Sequence, residues 1–135
     1  MAKIEFDGFE EYRKQLKKLG ANVEGVIKYA VYDAAGMVAD SIKAATPVDT
    51  GALQNSVGLT DFKNEGGYVY TKVVFNGYDD RGVPNAIKAR VLESGSSNRT
   101  KHPFIRPAVN RVKSAAVFSI EMQLDKKINE LMKGR

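Results

Sequence analysis

His102 is the only histidine in a chain of 135 residues that has no cysteine and no tryptophan. Thiol nucleophiles, cysteine-ligated zinc and iron–sulfur clusters are thereby absent, and one imidazole cannot supply a two-histidine metal motif. A Ser-His-Asp hydrolase would have to use His102, which lies at the end of the polar run from Gly95 to Lys101 and ahead of Pro103, with no nucleophile elbow nearby. Asp79 and Asp80 are adjacent carboxylates in the turn-forming stretch NGYDDR, and they are the candidates a metal-dependent nuclease would use. Sequence neighbours seldom converge on one metal, so the pair reads as a solvated turn. Gly66-Gly67 lacks the lysine and spacing of a phosphate-cradling loop, and Asn98-Arg99-Thr100 fits a glycosylation sequon that has no meaning without an export signal. Arg99, Lys101, His102 and Arg106 gather beside Phe104. A nucleic-acid reader combines such charges with several stacking aromatics. The tract HPFIRPA reads more simply as an anchor that buries Phe104 and Ile105, uses Pro103 and Pro107 to fix the path into the following helix, and lets Arg106 pair locally. No catalytic, metal or cofactor site is expected, and the chain is not expected to be an enzyme.

The formal net charge is +5, with 43% hydrophobic and 27% charged residues. The charge is unevenly placed: residues 96–135 hold nine basic and three acidic side chains, whereas residues 21–95 hold seven and nine. This basic segment reads as a solvated helix face with a mobile loop, or as a surface for phosphate or an acidic protein. A chain of this length hides enough surface for one soluble domain, here residues 1–135, with a radius of gyration of about 14 Å. It has no apolar run of about 18 residues, and its charged start does not fit a signal peptide, so neither a membrane span nor export is expected.

Positioning elements follow from periodicity. Phe6, Phe9, Tyr12, Leu16 and Leu19 recur at helical spacing, predicting a helix over about 6–19, with Asp7 placed to cap it and Gly20 to stop it. A longer helix is predicted over about 22–45. Its Ala30, Ala34, Ala35, Gly36 and Ala39 are small enough for close approach by another backbone, which would offset the roughly 1 kcal/mol helix cost of Gly36. Pro47 halts it. Asp49 or Thr50 is placed to cap a turn through Leu53 to Ser56. Residues 57–62 and 68–75 read as antiparallel strands around the Gly-Gly turn, 84–93 as a short helix or strand, 95–102 as an exposed loop, and 107–133 as a helix opened by Pro107. The order predicts an α+β class, a small antiparallel β-sheet with long N-terminal-half and C-terminal helices packed on it. Two strands alone are marginal, so a third is expected from residues 76–95 or from a neighbouring subunit.

Two tracts carry a resemblance. ATPVDTGALQNSV (Ala45 to Val57) and VLESGSSNRTKHPFIRPA (Val91 to Ala108) are similar to the tail-completion, or minor-tail-component, family of long-tailed bacteriophages and prophages. Thr46, Pro47, Val48, Asp49, Thr50, Gly51 and Leu53 match its first block, a structural turn. Glu93, Gly95, Pro103, Phe104, Ile105, Arg106, Pro107 and Ala108 match its second, an assembly anchor. Ser94 departs from an aromatic frequent in the family. The resemblance implies a structural virion protein acting in tail completion and head–tail joining at the neck, in the host cytoplasm during assembly and then in the virion. It implies no cofactor and no membrane contact. The implied partners are the tail terminator, the head-closure protein, further copies in a ring of six, and DNA in the channel. Within it, Ser96, Ser97, Asn98, Arg99, Thr100, Lys101 and His102 are the expected interface loop. Glu93 or Asp49 is expected to meet Arg106 in a buried or interfacial pair, whose breakage would cost several kcal/mol. The alternative is a small basic DNA-binding protein using residues 96–135.

Overall fold

The computed structural model describes residues 4, 6, 8–48 and 51–134. The capping roles expected of Asp7, Asp49 and Thr50 lie outside the described residues. In chain order the elements are α1 (Phe9–Lys18), α2 (Val23–Ala45), a single turn α3 (Ala52–Asn55), strands β1 (Val57–Leu59), β2 (Lys63–Glu65), β3 (Tyr68–Tyr70) and β4 (Val73–Phe75), then α4 (Asn85–Ser94) and α5 (Ile105–Lys133). The class is α+β, as the periodicities predict. Helix α1 begins later than its apolar repeat, at Phe9. The Phe6 ring joins that face from outside the helix, meeting Phe9 edge-on at 4.7 Å.

The core is strung along α2 and α5, which run antiparallel. One apolar cluster unites Leu16 of α1 and Ile27, Ala30 and Ala34 of α2 with Ala116, Ile120, Leu124 and Ile128 of α5. A second unites Ile42 from the other end of α2 with Leu53, Ala89, Phe104, and Ala108 and Val109 at the start of α5. Ser41 Oγ donates to the Ala108 carbonyl at 2.8 Å, a contact that alanine-sized neighbours permit. The small stretch of α2 therefore does what its composition predicts at Ala30 and Ala34. Gly36 does not take part: a Cβ built there would meet nothing within 4 Å, so no close packing offsets its helix cost. Across the first cluster Tyr12 Oη donates to Asp125 at 2.8 Å, and burial together with that carboxylate pushes the phenol up to about 12.

The predicted strands form a long hairpin broken in two. Val57, Gly58 and Leu59 pair with Phe75, Val74 and Val73, whereas Lys63, Asn64 and Glu65 pair with Tyr70, Val69 and Tyr68. Thr60, Asp61 and Phe62 thus face only Thr71 and Lys72, which is a bulge. The groups it frees are taken up locally: Phe62 N–H donates to Tyr32 Oη of α2 at 2.6 Å, and Thr71 Oγ1 donates to the Thr60 carbonyl at 2.7 Å. Gly66 and Gly67, at φ 60° and 92°, make the tight turn that only residues free of Cβ accept easily. Among the described residues no third strand comes from 76–95, which supplies the isolated Tyr78–Pro84 bridge and α4. The ribbon is supported by packing on α2 in place of a third strand.

Two substitutions check this architecture by urea unfolding. Leu124→Ala, at a fully buried position, is expected to cost about 2–5 kcal/mol. Gly36→Ala is expected to stabilise the protein by about 1 kcal/mol, and a less stable variant would contradict its open surroundings.

Candidate functional site

The two tracts singled out in the sequence meet through the second cluster. Thr46 ends α2 in an extended conformation, 3% exposed, with its Oγ1 donating to the Ile42 carbonyl at 2.7 Å. This turns the chain out of the helix, leaving Pro47 and Val48 exposed. Gly51 then stands at the start of α3, whose Leu53 is 7% exposed and reaches the same cluster as Phe104. Phe104, 6% exposed, packs edge-on against Phe75 with ring centres 5.9 Å apart. The anchor expected of Phe104 is therefore a ring wedged between the hairpin, α4 and the start of α5. Ile105 is half-buried, while Pro103, Arg106 and Pro107 are exposed.

Glu93 organises the second tract. Its Oε1 accepts N–H bonds from Phe104 at 2.7 Å and Ile105 at 2.8 Å, and its Oε2 accepts one from Arg106 at 3.0 Å. These amides open α5 and have no partner inside the helix, and a carboxylate there also complements the helix dipole. Burial opposes its charged form, but the hydrogen bonds from Ile105, Arg106 and Phe104, with the Arg106 charge, outweigh it and hold the carboxyl below its ordinary value. This capping also explains why α5 begins at Ile105, before the expected Pro107. The proline falls in the first turn, where its missing N–H costs no helical bond.

The expected pairing of Arg106 is corrected accordingly. Its side chain is exposed, and the ion pairs among the described residues are Arg13–Glu10 and Lys88–Asp79. Arg106 meets Glu93 through its backbone N–H. The side chain whose loss is costly is thus Glu93.

Between α4 and α5, residues Ser96–Pro103 are all exposed, as their composition predicts. The segment is nonetheless folded. Ser96 N–H donates to the Arg99 carbonyl at 3.0 Å and Arg99 N–H returns a bond at 3.3 Å, making a tight turn. Asn98 N–H donates to Ser96 Oγ, and His102 N–H donates to the Leu92 carbonyl at 2.6 Å. Gly95 starts the loop at φ 77°, where a Cβ would lie 3.1 Å from the Arg99 carbonyl oxygen and the Lys101 nitrogen, so the turn closes only over a glycine. Ser97, Arg99, Thr100, Lys101 and His102 consequently project from a backbone tied at both ends.

The basic side chains do not converge into a stripe. At 100° per residue, Arg106, Arg111, Lys113, Lys126, Lys127 and Lys133 distribute around α5. Among the described residues no three His, Asp or Glu side chains gather as a metal site would require, and no helix is long and apolar enough to cross a membrane.

Asp79 departs from expectation. Its side chain is 7% exposed and accepts N–H bonds from Arg81 at 2.9 Å and Val83 at 2.8 Å, with Lys88 Nζ at 3.2 Å. The Val83 amide, above all, holds the carboxyl below its ordinary range, against some burial and with help from Lys88 and the Arg81 amide. The sequence signal was an Asp followed by a glycine three residues on, the chemistry of a side-chain-closed turn. Asp80 is exposed.

Residues 10–95 match the family model described as "Bacteriophage HK97-gp10, putative tail-component". The match spans α1 to α4, including the Thr46–Leu53 tract and Glu93, and ends at Gly95, where the exposed loop starts. No curated protein and no solved structure matches the chain.

Glu93→Ala is expected to destabilise the fold by about 1.5–3 kcal/mol, since it strips a charged acceptor from three amides, whereas Arg106→Ala, at an exposed side chain, should stay within about 0.5 kcal/mol. Because the folded protein depresses this carboxyl, its contribution is full above the ordinary value of 4.5 and lost as the pH falls through the lower folded value. Urea midpoints of wild type and Glu93→Gln should therefore converge as the pH is lowered through that window, and a constant gap between them would exclude a charged cap.

Proposed function

The chain belongs to the HK97 gp10-like family of bacteriophage tail components, and from that premise we propose that it acts in tail completion and head–tail joining at the neck, through protein–protein assembly. Residues 1–135 act as one assembly domain in this reading, built in the host cytoplasm and retained in the virion neck. Its partners are the tail terminator and the head-closure protein, with further copies in a ring of six. The loop Ser96–His102 is the surface that meets a neighbour, and Thr46–Leu53 and Glu93–Pro107 are the frame that holds it out.

The observation that carries this reading is the clamp on that loop. Glu93 fixes the start of α5 and Gly95 and His102 fix the loop ends, so seven polar residues are displayed on a backbone whose ordering cost is largely met before a partner arrives. Such a surface suits specific docking. The spread of basic side chains around α5 gives no matching support to duplex binding.

Replacing Ser96–His102 by a Gly-Gly link tests the proposal. The variant is expected to keep its helical circular dichroism while phage carrying it accumulate unjoined heads and tails. Normal infectious particles would refute the role of the loop. If the purified chain instead bound duplex DNA with an affinity that fell steeply with salt, at a slope of about −0.9 per phosphate contact, the DNA-binding reading of residues 96–135 would replace it.

A further inference from the structure

Two exposed apolar patches lie outside the loop just described. Tyr78, Val83 and Ile87 are 70%, 38% and 44% exposed. The Tyr78–Pro84 bridge draws Tyr78 alongside Val83, and Ile87 stands one turn further on in α4. Single exposed apolar residues need no explanation, but three together on a fixed loop do. The backbone beneath them is held firmly: Asp79 closes it as described, Asp79 N–H donates to the Val83 carbonyl at 2.9 Å, and Asn85, 3% exposed, donates through Nδ2 to the Asn76 carbonyl at 2.9 Å. The charged side chains around this patch are Arg81, Arg90 and Asp80, because Lys88 is already matched by Asp79. Its surroundings are net basic.

The second patch is Phe118 and Met122, 59% and 55% exposed and one turn apart on the face of α5 opposite Ala116, Ile120 and Leu124. Within a turn of these two, the charged residues are Glu121, Asp125 and Lys126, a net acidic set. Either patch meeting its own copy brings like charges together, whereas the first meeting the second brings unlike charges together. The two sit on different elements of one surface, so the complementary contact runs between molecules.

We propose that a second copy of this chain seats its Phe118–Met122 face on the Tyr78–Val83–Ile87 patch, a head-to-tail contact that repeats from copy to copy. An interface of this kind is heterologous and closes into a ring or extends as a filament according to its rotation. It does not depend on the role of the Ser96–His102 loop or on a position in the virion. Two or three side chains a side are fewer than the roughly 20–30 residues of a standard interface, so the isolated contact is weak and shows itself at high protein concentration.

Sedimentation velocity from about 10 μM to about 1 mM protein reads this directly. The wild type is expected to grow past the dimer with concentration, and Ile87→Glu and Phe118→Glu are each expected to remain monomeric. Their equimolar mixture should form a dimer and stop there, because each molecule keeps one working patch. Tyr78→Ala, which leaves α4 intact, should weaken wild-type association at least tenfold and guards against a folding defect in Ile87→Glu. A wild type that stays monomeric throughout overturns the proposal, as does a mixture that stays monomeric. A dimer of Ile87→Glu alone would mean α5 pairing with itself, and would overturn it equally.

Discussion

Close approach of α2 and α5 is the constraint on which the other elements rest. The two helices, of 23 and 29 residues, are far too long to be stabilised by propensity alone, and each gains its stability from an apolar stripe buried against the other. Alanines at 30, 34, 108 and 116 line this contact, all at most 5% exposed. Small side chains there bring the backbones together, so the larger residues flanking them, Ile27, Ile42, Ile120 and Leu124, reach across to common neighbours. Leu16 of α1 closes one end of the pair, and Leu53, Ala89 and Phe104 close the other. A change that separates α2 from α5 would open both clusters together.

The start of α5 is held by a different force. Apolar burial fixes how far along α2 the helix lies, but it does not fix which residue begins it. Glu93 does that by accepting three amides that would otherwise face water or go unpaired. Since Glu93 belongs to α4, the same three bonds lock the end of one helix to the beginning of the next and set the span the intervening loop must bridge. The loop is exposed because it is outside both clusters, and ordered because its ends are not free to move apart.

Much of this was legible in the residues. Period-three-and-four spacing located the long helices, β-branched runs and Gly66-Gly67 located the hairpin, and the burial of Phe104 and Leu53 followed from their apolar character amid polar neighbours. What escaped were features decided by partners distant in sequence. The bulge at Thr60–Phe62 exists because Tyr32, on another element, takes the amide it frees. Arg106 looked like the cation of a pair, yet its backbone rather than its guanidinium is what Glu93 needs. Gly36 sat in a run of alanines that does pack closely, but it faces open space, since a helix turns 100° between neighbours and only some of a small-residue run can point at the contact. Asp79 read as solvated because a turn is normally at the surface. Its burial depends on Lys88, nine residues on, being carried back over it by α4.

The polar side chains buried or half-buried here are spent on the backbone. Thr46 bonds the Ile42 carbonyl, Asp79 two loop amides, Asn85 the Asn76 carbonyl, and Glu93 three amides of α5. Both carboxyls are held below their ordinary values by these bonds. A carboxylate stabilised in this way is a poor proton acceptor near neutral pH, because proton transfer would have to break the hydrogen bonds that lower its pKa. The residue types that in another protein would do acid–base work therefore shape loops in this one. What those loops offer the solvent is a polar tip at Ser96–His102 and an apolar surface at Tyr78, Val83 and Ile87, each on a backbone already fixed. Pre-organised contact surfaces with their charged groups engaged beneath them are what a tail component requires, because its binding energy then goes into holding a neighbour and not into ordering itself.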